Sequence, residues 1–94
     1  LKHAGPDALD RLEPILDEIR RLGGLKEKSR GAFYCGAIAF LHFHEDPTGF
    51  FADLKTGGEF VRFPINSTPE TQTFLRRTRA ALNAVKSDRR KGGA

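Results

Sequence analysis

Leu9, Leu12, Leu16, Ile19 and Leu22 recur at spacings of three and four, while Asp10, Asp17, Glu18, Arg20 and Arg21 fall between them. That stripe predicts an amphipathic helix. Gly5-Pro6-Asp7 opens it, with Asp7 as the expected N-cap and Asp10 placed where a carboxylate suits the positive helix end. Pro14 lacks an N–H and crowds the carbonyl four residues earlier, so the helix should kink there or become regular only just before it. Gly23-Gly24 closes it. Across residues 26–65 the period changes from helical to alternating, with turn residues at short intervals, as in consecutive hairpins. Four strands are predicted, at 29–34, 37–45, 50–55 and 59–64, joined by Cys35-Gly36, Asp46-Pro47-Thr48-Gly49 and Gly57-Gly58. Ser67-Thr68-Pro69-Glu70 then combines a hydroxyl cap, an early proline and capping-box spacing. A second helix follows, with Phe74, Leu75, Thr78, Ala81, Leu82 and Val85 on one side. The expected fold is α+β in the order α-β-β-β-β-α: a four-stranded antiparallel meander with both helices packed on one face.

Length bounds this picture to one domain over residues 1–94, with an ordered core at about 7–86 and a flexible basic tail at 87–94. Eight Phe against no Trp or Met points to a core filled by rigid rings. No apolar run is long enough to span a bilayer and no basic flank leads into a signal-like stretch, so no membrane partner is expected. Cys35 is the single cysteine and cannot form an internal disulfide, which fits a reducing, cytoplasmic location. The net charge of +4 is unevenly spread. Residues 76–91 hold seven basic side chains against one acid, a local +6 that leaves −2 for the rest of the chain. Basicity therefore belongs to the last helix and tail.

The turns fix a register. Glu45 opposite Phe50 places His42 opposite Asp53 and Asp53 opposite Arg62. Alternation then sends Ala39, Leu41, Phe43, Ala52, Leu54, Val61 and Phe63 towards the helices. Ile38, Phe40, His42, His44, Phe51, Asp53, Lys55, Phe60 and Arg62 are sent to the open face. On that face Phe40, His42, His44, Phe51, Asp53, Phe60 and Arg62 are the ligand or interface candidates. The leading expectation is a non-enzymatic interaction module whose rings meet another protein or a second copy of the chain. The second is a small-ligand or metal site, with or without catalysis, around His42, His44, Asp53 and Arg62; no metal is assigned and the histidines are read as surface residues, with His42, His44 and Asp53 the set a metal would use. No cofactor and no catalytic residue are assigned, because Cys35 falls in a predicted turn without a base nearby. Nucleic-acid binding through the basic C-terminal helix comes third, since Glu45, Asp46 and Asp53 oppose a phosphate backbone on the sheet.

Residues 31–34, 40–46, Gly49, 52–55 and 60–64 form a pattern that resembles one shared by small uncharacterised bacterial proteins. In element order the chain is also similar to frataxin-like and YjbR-like domains, which set a meander against helices. Their motif residues are absent here. Asp10, Asp17 and Glu18 resemble a frataxin acidic ridge only superficially, because Arg20 and Arg21 interrupt it, and no function is implied.

Overall fold

The computed structural model describes residues 1–92 and shows an α+β fold in which two helices enclose one side of an antiparallel sheet. The elements are β1 (Lys2–His3), α1 (Pro6–Leu22), β2 (Lys26–Ser29), β3 (Ala32–Cys35), β4 (Ile38–Asp46), β5 (Gly49–Thr56), β6 (Glu59–Pro64) and α2 (Thr68–Gly92). Strands β2 to β6 form a meander in chain order, and β1 joins it beside β4. The sheet thus has six strands rather than the four expected.

The two extra strands have separate origins. The first expected strand is a hairpin, in which β2 and β3 reverse at Arg30-Gly31. Gly31 takes φ of 80°, and a Cβ there would lie 2.8 Å from Leu9 Cδ2, so the reversal requires glycine. The other addition, β1, pairs Lys2 with Glu45 and His3 with His44. It is fastened by the Ala4 N–H donating to the Phe43 carbonyl (3.0 Å) and the Gly5 N–H donating to the Glu45 carboxylate (2.7 Å).

Those contacts also explain how α1 begins. The N-cap is Gly5, with Pro6 next, rather than Asp7. A carboxylate forty positions along the chain satisfies the Gly5 N–H at the positive end of the helix. Pro14 is accommodated within the helix, which runs unbroken to Leu22. Leu9, Leu12, Leu16 and Ile19 are buried as their spacing predicts, each contributing about 1.5–3 kcal/mol by leaving water. Helix α2 starts at Thr68, so Pro69 is its second residue rather than its first: Ser67 Oγ accepts from the Glu70 N–H as expected (3.3 Å), while the Glu70 carboxylate accepts from the Asn66 N–H (2.8 Å). It continues to Gly92, so most of the segment expected as a flexible tail is helical, and residues 93–94 lie outside the described part.

Phe33, Leu41, Phe43, Ala52, Leu54, Phe74 and Leu82 form one core with the α1 stripe. The predicted register between β4, β5 and β6 holds at every pair, including His42 with Asp53 and Asp53 with Arg62. The β3–β4 ladder departs from simple alternation: Phe33 pairs with Leu41, but Tyr34 pairs with Ala39. Phe40 is an extra residue, a bulge that points two successive side chains, Phe40 and Leu41, into the core. This overturns the expected placement of Phe40, which is 2% exposed and packed among core residues. Ile38 moves with it and lines a cleft under α2 together with Cys35 and Phe40, while Ala39 joins Tyr34 and His42. Cys35 is in β3 rather than a turn and is a buried packing thiol. Val61, expected under the helices, remains 38% exposed beyond their reach. Among the described residues, no helix is long and apolar enough to cross a membrane.

Candidate functional site

Below the bulge, β4 regains regular alternation, and His42 and His44 project from the face opposite the helices beside Asp53 of β5 and Arg62 of β6. Arg62 donates from Nε to Asp53 Oδ1 (2.8 Å) and from Nη2 to Oδ2 (2.9 Å), a paired fork across the ladder. That fork holds the Asp53 carboxyl below its ordinary range, although burial pushes the other way. Asp53 is 6% exposed on a sheet face that no helix covers, because the half-exposed Arg62 side chain and the imidazoles enclose it.

His44 Nε2 lies 3.2 Å from Asp53 Oδ2 and 3.2 Å from His42 Nδ1. An ionised carboxylate only accepts, and a neutral imidazole carries one N–H. Which ring donates between His42 and His44 is set by their tautomers. Burial lowers the His42 pKa most, and the neighbouring His44 lowers it further, so His42 favours its neutral form.

His3, which sequence reasoning leaves out, completes the cluster. It enters on β1 opposite His44, and the two rings stack with centroids 4.7 Å apart. Ligating nitrogens of His3, His42 and His44 all lie within 4.8 Å of one another. Two ligands of a tetrahedral zinc ion, each at roughly 2.0–2.1 Å from the metal, sit roughly 3.3 Å apart; the 3.2 Å between His42 Nδ1 and His44 Nε2 matches that spacing. No local signal in the sequence brings His3 here, since two residues of strand with no turn of their own carry no periodicity.

The remaining candidates divide. Phe60 is 42% exposed and packs on His42, with ring centroids 4.6 Å apart. Phe51 is half-buried opposite His44. Phe40 lies on the other side of the sheet, so the ring cluster on which the interaction reading leans loses a member. The ridge acids of α1 are paired locally: Arg20 pairs with Glu13, Asp17 and Glu27, Arg21 with Glu18, and Arg30 with Asp10 and Glu13. A larger cleft, roughly 720 Å³, lies under α2 on the helix side and is walled mainly by apolar residues such as Phe40, Ala81 and Val85. Among the described residues it gathers no set of ligating atoms, so the histidine cluster is the stronger site. No protein-family model, curated protein or solved structure matches this chain.

Proposed function

We propose that the chain is a divalent transition-metal-binding protein, with His3, His42 and His44 as ligands and Asp53 as the carboxylate beside His44. The observation that carries this reading is the convergence of three imidazoles, one exposed, one half-buried and one buried, within 4.8 Å. Imidazole suits zinc, copper, nickel and iron, and the 3.2 Å between His42 Nδ1 and His44 Nε2 is a spacing that two ligands of one such ion can take. Arg62 supports the site by orienting Asp53, much as outer partners orient ligands in known metal centres. Three protein ligands leave a fourth position for water or a small molecule, where the metal can act as a Lewis acid.

The test is calorimetric titration of untagged protein with Zn²⁺ and Co²⁺. One equivalent is expected to bind, with a thermal shift that grows with free metal, about 2.7 kcal/mol at a hundredfold excess over Kd. His44→Ala and His3→Ala should each weaken binding by about tenfold or more. Metal affinity unchanged in both variants would remove the reading.

A further inference from the structure

β4 changes partners along one edge. Its residues Ile38, Ala39 and Leu41 pair with β3, and His44 and Glu45 pair with β1, while β5 occupies the opposite edge. Neither β3 nor β1 pairs with His42 or Phe43 in the strand ladder; only the Ala4 N–H reaches the Phe43 carbonyl across the gap. The interruption opens a notch of roughly 410 Å³, whose walls include His3, His42, Arg30, Gly31, Tyr34 and Ala39. Because Gly31 cannot carry a side chain without meeting Leu9, the hairpin end remains bare there. Two of the three residues proposed as metal ligands thus also line a pocket, one at the small end of the roughly 300–1,000 Å³ that ligand sites occupy.

The chemistry of the wall narrows the occupant. The Tyr34 ring and Ala39 supply apolar surface, Arg30, paired with Asp10 and Glu13, is the cation in the wall, and Lys28 Nζ stands 4.2 Å from the Tyr34 centroid. A divalent ion held by three neutral imidazoles keeps its full charge, so its fourth position favours an anion. Resting on the metal-binding reading above, we propose that the notch takes a small aromatic carboxylate. Its carboxylate completes the metal's coordination and its ring lies against Tyr34 and Ala39.

Benzoate and acetate serve as probes of Co²⁺-loaded protein, read by the visible spectrum of the cobalt. Both can reach the metal, but only benzoate fills the notch, so benzoate should bind at least about tenfold more tightly. Ala39→Leu fills the notch and Tyr34→Ala removes its ring wall. Each should weaken benzoate by about tenfold while leaving cobalt and acetate affinity within about threefold of the parent. Circular dichroism verifies that each variant is folded, and either variant alone suffices. Equal affinity for benzoate and acetate, or benzoate binding untouched by a folded variant, overturns the notch proposal and leaves metal binding standing. Failure of cobalt to bind at all overturns both.

Discussion

Phe40 and Phe60 are both phenylalanines of the sheet, yet their surroundings oppose one another. Phe40 is 2% exposed in the core and Phe60 is 42% exposed beside His42. Truncating a fully buried ring removes transfer energy and leaves a void, so Phe40→Ala is expected to cost about 3–5 kcal/mol. Phe60→Ala should cost under about 1 kcal/mol, because only part of its surface leaves water on folding. Urea denaturation of the two variants checks the contrast, and equal losses would contradict the bulge. At this scale the sequence was legible wherever a residue's place followed from its immediate neighbours. His42, Asp53 and Arg62 meet as the hairpin arithmetic requires. Phe40 does not follow it, since one extra residue in the β3–β4 ladder reverses the face of everything before it and leaves no mark in composition.

Gly49 shows how an element can depend on a side chain from beyond its own hairpin. It starts β5 with φ of 143°, and a Cβ built there would lie 2.4 Å from Asn66 Oδ1. Asn66 occupies that space because its side chain pairs with Phe50 as a strand would: Oδ1 accepts from the Phe50 N–H (2.7 Å) and Nδ2 donates to the Phe50 carbonyl (3.1 Å). Gly49→Ala should therefore both strain the backbone and displace this amide, at a cost of about 2–4 kcal/mol. A thermal melt of the variant measures it, and a loss under about 1 kcal/mol would show that Asn66 can give way. The turns at 46–49 and 57–58 and the start of α2 were signalled by glycine, proline and hydroxyl residues acting over three or four positions, whereas the cap of α1 depends on Glu45, forty positions away. The β2–β3 reversal was less visible, because Arg30-Gly31 sits inside an alternating run and is fixed by contact with Leu9 of α1.

Across the whole molecule, the buried ionisable groups give metal-free stability a direction with pH. His42 has a lowered pKa, chiefly from burial, so the unfolded chain takes up its proton at higher pH than the folded one. The stability this contributes is complete above the ordinary value of 6.5 and is lost as pH falls through the lower folded value. Asp53 is also lowered, chiefly by the Arg62 hydrogen bonds, so its contribution persists below the first loss and disappears only on acidification below the ordinary 3.8. Denaturant titrations from pH 8 to 3 should show two declines, with His42→Gln abolishing the upper one. A rise in stability between pH 7 and 5 would contradict the lowered pKa of His42.

The β1–β4 pairing has a consequence for how such a centre comes into being. His3 arrives on a strand roughly forty residues from His42 and His44, so an excised β4–β5 hairpin would offer two imidazoles and never the third. The trio is a product of tertiary closure. An ion that needs all three recognises only chains whose opening segment has already docked, and its binding energy accrues wholly to the native state.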